Sequence, residues 1–564
     1  MLEFHKNNIR TKILLTISLS FIFFISPTVG QSIKNNIDDI GPSTEIIKED
    51  SYSKIFYVSQ STGSDNEGDG SKSNPWKTIN YAINNKMHVN YSALYVAKGK
   101  YLEGTFGLKP YVDLYGGFNP NTWERDIHKY STILDGNKKN RVIIGADNAR
   151  VDGFVITNGF AKSHGGGILC DDASPTISNC FIVNNCVSEP LEFNYNRIHQ
   201  DGYHGAGIAS MFNSVPIIRN NVFYKNKTSI GNGAGIAFYG WYRKEGAPPT
   251  EVLDNTITGG LQPLVKNNVF IGNISGITDT NRTRSSNGGA ISCAFEARPI
   301  IESNIVVNNQ AKGRSDAGGI YSEYFSYPYI KNNWILGNTS DDDGGGIYVM
   351  KLGYATISNN FIAGNRTLGN GVGGIRLSKE GRAKITGNFI VENLSGGAVQ
   401  SVDSFMELRQ NIIMHNIGKS SIHYRNNFDY FIPSVIENNI IQKNDGKIEL
   451  QSGKGSEVEF VDNKIDKTEM ILNNSTEEVQ FVDDSVELNV IDSFFNENSF
   501  QTVVEVEQPI SHLVSKGRIV NIDNNWGVIS NIDKNLISIW GDLEIDIKMN
   551  DTIKVISNYL LNSN

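Results

Sequence analysis

Between Thr176 and Asn444 one phrase, I-x-x-N-x-[IF]-x-x-x-N, is written nine times. Ile218-Arg-Asn-Asn221-Val-Phe-Tyr-Lys-Asn226 is one copy and Ile357-Ser-Asn-Asn360-Phe-Ile-Ala-Gly-Asn365 another. The first asparagine stands at 221, 268, 304, 333, 360, 388, 411 and 439, with Cys180 at the head of the column. The second stands at 185, 226, 273, 309, 338, 365, 393, 416 and 444. The later copies recur every 23 to 29 residues, the length of one solenoid repeat.

A glycine phrase (Gly-Gly or Gly-Ala-Gly, then an aliphatic residue) precedes most copies, around Ile168, Ile208, Ile236, Ile291, Ile320, Ile347, Ile375 and Val399. The runs between these punctuation points are too short for stable helices and read as strands. Alternating side chains send the aliphatic positions inward, where they stack on the next rung. Asparagine suits a corner because it tolerates left-handed dihedrals and its amide bonds the rungs on either side. Glycine supplies positive φ and close approach at the other corner. The expected fold is all-β, a right-handed parallel β-helix.

The 564 residues include 55 glycines and 15 prolines, in keeping with turn-dense all-β structure. A solenoid escapes the usual limit on domain size. The net charge of −9, with no basic stripe, argues against nucleic acid as the main ligand. Cys170, Cys180, Cys186 and Cys293 have no metal spacing; Cys170 and Cys293 fall on inward positions, and a Cys180–Cys186 bridge is open but unforced. Lys6, Arg10 and Lys12 precede an apolar run, Ile13 to Ile25, and then small residues at Pro27-Thr-Val-Gly30. That is a secretory signal pattern over residues 1–30, against the rarer reading of a retained anchor. It implies a secreted or cell-surface protein, expected to be monomeric, with no transmembrane segment in the mature chain.

Residues 31–54 read as a polar linker. Over 55–160 the expectation is an N-terminal cap and the first coils. Pro75 is placed to start a helix whose face holds Trp76, Ile79, Asn80 and Ile83, covering the open end of the solenoid. Asp65-x-Glu67-x-Asp69-Gly70 resembles a calcium loop, yet Trp76 stands where the twelfth-position Glu belongs, so a turn is the better reading. Repeats fill 161–446, an acidic β/loop region 447–510, and a small β module 511–564.

The opening "YVS…TGSDNEGDGSKSNPWKTINYAI", with "LYVAKGKYLEG", "VDLYGGF" and "STILDG", resembles secreted proteins of the pectin-lyase-like β-helix fold. Gly288-Gly-Ala-Ile291 and Phe270-Ile-Gly-Asn273 resemble the GGAI and FxxN repeats of polymorphic outer-membrane proteins. The resemblance implies the β-helix. Its relatives span polysaccharide lyases, glycoside hydrolases, adhesins and passenger domains, so it does not choose among them.

Three insertions interrupt early rungs, at 187–204, 239–262 and 275–287, and solenoid insertions often decorate a binding face. Lyase chemistry needs a base and cations for an enolate. His204 is the first candidate base, with Arg197 and Asp201 beside it. Trp241 and Tyr242 are candidates for stacking on sugar rings, and Arg243, Lys244 and Arg282 for a carboxylate or sulfate. A hydrolase would need two carboxylates, drawn from Glu189, Glu192, Asp201, Glu296 and Glu323. Against both stands the bland reading that loop charges are merely solvated. Tyr321, Tyr324, Phe325, Tyr327 and Tyr329 crowd nearby rungs and divide between sugar stacking, where Tyr324 is a candidate, and plugging corners.

No cofactor is fixed by the residues. Asp341-Asp-Asp343 could gather Ca2+, although an acidic run at a corner is more often surface. The N-x-[ST] matches at Asn226, Asn273, Asn338, Asn365 and Asn393 fall on the corner column, where the amides serve the fold rather than glycans. Two function classes remain: a carbohydrate-active or carbohydrate-binding protein acting on a polysaccharide, as lyase or glycosidase, and a non-enzymatic adhesin-type surface protein. The loops and aromatics favour the first.

Overall fold

In the computed structural model of the protein, the described residues are 37–86, 90–188, 203–240, 262–276, 286–427, 434–452, 458–465, 480–482, 485–507, 510, 514–522, 525–541, 552–556 and 560–562. The coils run through four parallel sheets in a fixed order, numbered 1 to 4, and the middle coils visit all four. Among the described residues, sheet 1 has 14 strands, sheet 2 has 13, the narrow sheet 3 has 7 and sheet 4 has 12. A coil is exemplified by Thr176–Ser178 in sheet 1, Phe181–Val183 in sheet 2, Cys186–Val187 in sheet 3 and Ile208–Met211 in sheet 4.

The inward residues form one core along the solenoid. Ile330 of sheet 1, Ile335 of sheet 2 and Ile347 of sheet 4 are wholly buried in it, as are Cys170 and Cys293. All four cysteines are free thiols, so Cys180 and Cys186 are not bridged.

The asparagine columns turn the corners before and after sheet 2. The Asn333 amide N–H donates to Asn360 Oδ1 at 2.9 Å, and its Nδ2 reaches the same oxygen and Ile301 O, each at 2.9 Å. Asn338 repeats this with Asn365 and Val306 O. Cys180 N–H donates to Asn221 Oδ1, heading the column as expected. Each amide thus satisfies buried backbone groups of two rungs. The left-handed residue is not the ladder asparagine but the one before it, as at Asn332 and Asn359.

Three expectations need correction. The repeat does not stop at Asn444: Lys447–Ser452, Val458–Val461 and Lys464–Ile465 add a further coil, and Asn463 extends the first column. The capping helix starts at Ile79 rather than Pro75 and is short, Ile79–Tyr81 running into a π-turn over Ala82–Lys86. Thr78 caps it, Asp65 accepts the Lys77 and Thr78 amides, and Glu103 accepts those of Ile79 and Asn80. Asp65 therefore belongs to a structural turn. Residues 37–53 are no free linker. They strap the corner between sheets 1 and 2, where Asn220 Nδ2 donates to Asp39 O at 2.7 Å and Arg219 pairs with Glu45.

The C-terminal module is a closed antiparallel six-stranded barrel beginning at Ser485. It folds back onto sheet 2, whose strands are apolar on both faces: Phe223 points inward, while Val222 and Tyr224 join an outer cluster with barrel residues Trp526 and Trp540. Trp526 sits over Gly337 and Gly364, where any side chain would overlap its ring. Burial on both faces explains three apolar residues in succession.

Candidate functional site

Two corners of the solenoid carry chemistry, one on each side of sheet 4. At the corner before it stands a third polar column. Asn232 N–H donates to His204 Nδ1 at 2.9 Å, Asn287 N–H to Asn232 Oδ1 at 2.7 Å, Asp316 N–H to Asn287 Oδ1 at 2.9 Å and Asp343 N–H to Asp316 Oδ1 at 3.2 Å. These residues directly precede the glycine phrase. The signal was present in the sequence, but residue type changes along the column from His to Asn to Asp.

His204 is buried between His164 and Tyr239, with ring centroids at 5.4 and 4.1 Å. Burial, then the His164 charge, pushes its pKa well below the ordinary value. Its Nδ1 lone pair is occupied, so the proton of the neutral ring sits on Nε2. That geometry makes His204 a rung of the ladder and does not offer the open lone pair expected of a base. Asp316 is pushed up to about 8 by burial first, then by Asp343 and Asp342. Asp343 pairs with Arg376 at 3.0 Å, and Asp341 accepts the Gly313 amide at 2.6 Å. Among the described residues, no three His, Cys, Asp or Glu side chains are placed to hold a metal. Of the three acids read as a Ca2+ candidate, Asp341 and Asp343 have their carboxylates engaged in the corner instead.

The corner after sheet 4 is different. Phe212, Phe295, Tyr324, Phe325 and Leu352 all have positive φ there, between 46° and 62°. Bulky side chains in that region cost energy, and such strain, when observed, motivates a functional reading. The rings are presented outward: Phe295 stacks on Tyr324 at 4.9 Å, Tyr327 meets Tyr354 edge-on at 6.0 Å, and Phe325 is 38% exposed. Lys351 lies over the Tyr324 ring at 4.6 Å, Arg298 over Tyr327 at 5.4 Å and Arg382 over Phe405 at 5.3 Å. Burial opposes the charge on Lys351, but Glu323 and Tyr324 outweigh it and raise its pKa. Phe325, Tyr327, Leu352, Tyr354, Arg382, Ala383, Lys384, Phe405, Met406 and Glu407 line a groove of about 540 Å³ at this corner.

Tyr324, the candidate for sugar stacking, is half-buried and packs between Phe295 and Lys351. Tyr321 is not exposed: it is buried, donating to Glu323 at 2.9 Å. Glu323 is buried as well and pairs with Lys351 at 3.2 Å, so it is no free catalytic carboxylate. Arg197, Asp201, Trp241, Tyr242, Arg243, Lys244 and Arg282 lie outside the described residues, as do Glu189 and Glu192. The flanks of their loops are described. Cys186–Val187 and Ile274–Ser275, which precede the first and third loops, lie in sheet 3 two rungs apart, with Lys227–Thr228 between. The second loop departs after Gly240, at the end of the sheet 4 strand Ile236–Tyr239, on the groove's own corner.

Family models match three stretches. Residues 339–495 match the right-handed β-helix region. The chain has the right-handed parallel β-helix fold. Residues 247–402 match the periplasmic copper-binding protein NosD, and 61–245 match a family of unknown function, DUF1565. Copper favours converging thiolate, thioether or imidazole donors. The described residues do not supply such a set: three of the four cysteines are buried apart in the core. No curated protein sequence matches the chain. A solved lacto-N-biosidase of family GH136 from Eubacterium ramulus is similar at 12% identity and TM-score 0.33, covering 73% of this chain and 68% of that one. The periplasmic alginate epimerase AlgG is similar at 12% identity and TM-score 0.30, covering 64% and 78%. Likeness at this level says nothing of ligand or activity.

Proposed function

We propose that the chain is an exported glycan-binding β-helix protein whose ligand lies in the groove after sheet 4. One observation carries this: on successive rungs of a single corner, aromatic and aliphatic side chains hold strained positive φ and face solvent. Aromatic faces stack on the apolar faces of pyranose rings, and the guanidinium and ammonium groups beside them suit hydroxyl or acidic substituents. Export rests on the basic, then apolar, N-terminal pattern. Trp241, Tyr242, Arg243 and Lys244 belong to the loop leaving this corner and are proposed to extend the binding surface. Turnover would draw on Arg197 and Asp201 of the first loop and Arg282 of the third.

The test is a screen of acidic and neutral polysaccharides, reading binding by calorimetry together with unsaturated-uronate absorbance and new reducing ends. Tyr354→Ala should weaken binding of any hit by about tenfold, the order of one lost aromatic contact. Unchanged affinity in that variant, or the absence of any hit, overturns the groove as the site.

A further inference from the structure

The third column differs from the asparagine ladders in one respect: its head can gain a positive charge. The acceptor that each rung offers to the next amide is His204 Nδ1, then Asn232 Oδ1, Asn287 Oδ1 and Asp316 Oδ1. Asparagine fills this role in the two rungs after His204, so what histidine adds at the head is ionisation. The Asn232 N–H needs the lone pair on Nδ1, and with a proton already on Nε2 that lone pair is where a second proton must go. Protonation therefore sets two N–H groups against each other across 2.9 Å and leaves a cation in a site 8% exposed. The surroundings do not hold that cation. His164 stacks on one side at 5.4 Å, and Arg141, donating to the His164 and Gly165 carbonyls at 2.7 and 2.8 Å, adds positive charge there. Asp171 acts on Arg141 rather than on His204. On the other side lies Tyr239 at 4.1 Å, its phenol kept neutral by burial, with Glu323 and Tyr324 beyond it. Glu323 is paired with Lys351. The Tyr239 face attracts a cation but does not replace the lost acceptor. Among the described residues no carboxylate pairs with His204.

We infer that the corner before sheet 4 carries an acid-sensitive lock, in which protonation of His204 expels its ring from the column and frees residues 203–205 from the next rung. These three residues are where the described chain re-enters the coil after the first insertion. They are held there by the imidazole bond and by two backbone bonds, Gly205 N–H to Asn232 O at 3.1 Å and Gly165 N–H to His204 O at 3.0 Å. Outside the column the ring titrates near its ordinary value of about 6.5. Inside, burial and then the His164 charge hold it well below that. Below about pH 6.5 the open corner takes up a proton that the locked corner does not, and the open fraction rises about tenfold for each further pH unit. Above that pH neither form binds the extra proton, and the lock is at full strength. The asparagine columns have no titrating acceptor, so acid leaves them intact.

The experiment follows amide hydrogen exchange of the full mature chain at about pH 8, 7, 6 and 5, corrected for the intrinsic pH dependence of exchange. The Asn232 amide should exchange alike at the two higher values and about tenfold faster at pH 5 than at pH 6. The Asn333 amide, which donates to Asn360 Oδ1, is the internal control and should stay protected throughout. His204→Asn keeps an acceptor that cannot titrate, as Asn232 does for Asn287, and should abolish the acid step at Asn232. A step confined to the Asn232 amide and lost in His204→Asn supports the lock. Equal acceleration at Asn232 and Asn333 means that acid loosens the whole coil, and the inference falls. It falls too if Asn232 shows no step, or if the step persists in His204→Asn. Should that variant fail to fold, the wild-type comparison of the two amides decides alone.

Discussion

The corners around sheet 2 and the corner after sheet 4 turn the same chain by opposite means. At the first, one residue type recurs, fully buried, with every amide group spent on neighbouring rungs. At the second, residue type varies, rings stand in solvent, and the left-handed residues Phe212, Glu296 and Tyr324 are tied to the next rung by their backbone amides and not by a side-chain ladder. The uniform corner is scaffold, because any change there breaks contacts on two rungs. The variable corner has been freed from holding the coil together, and its strain is tolerable because the ladders over-determine the coil.

Substitution should separate the two most strongly. Asn333→Leu leaves buried backbone groups of two rungs unpaired and should cost about 2–3 kcal/mol in denaturant unfolding. Tyr354→Ala at the other corner should cost less than about 1 kcal/mol. Equal costs would erase the distinction. Gly364→Ala places a methyl group against the Trp526 ring. The barrel should then be displaced from sheet 2, seen as faster proteolysis between the β-helix and the barrel while the helix itself stays intact.

Asp316 tests the third column through pH. In the unfolded chain its carboxyl titrates near the usual value of about 4, and in the fold near about 8. Between these values the folded state holds a proton that the unfolded state has released, so stability falls as pH rises across that window. Below it both states are protonated and nothing is lost. Asp316→Asn keeps the acceptor for the Asp343 amide, as Asn232 and Asn287 already do in their rungs. It should raise the melting temperature near pH 8 and leave it unchanged near pH 4. A rise at both would place the effect elsewhere. The smallest expected shift is from Phe325→Gly, which removes the left-handed strain. Stability should hold or rise by up to about 1 kcal/mol while glycan binding weakens.

The same contrast explains what the sequence made legible. The asparagine corners were readable because a buried amide must be replaced by another at every rung, which writes a fixed letter at fixed spacing. The third column obeys an equally fixed position before the glycine phrase, but only an acceptor is needed there, so His204, Asn287 and Asp316 do not look alike. The last coil was hidden because Lys447–Ile465 keeps Asn463 without a matching second asparagine. The strap over 37–53 has no periodicity, since it follows a groove rather than forming a rung. Tyr324 could be picked out as one of a run of aromatics. The groove could not, because it is made by register: Tyr327, Tyr354, Arg382 and Phe405 are neighbours only once the coils stack. His204 stands beside a strand start, and that same position is what commits its ring to the ladder.

The most direct measurement is a crystal structure of the mature chain soaked with the tightest-binding polysaccharide fragment from the screen. Sugar rings should be found stacked on Tyr327 and Tyr354, with Arg382 or Lys384 at their polar substituents and the asparagine corners untouched. Sugar bound elsewhere, with the corner after sheet 4 empty, would contradict that placement.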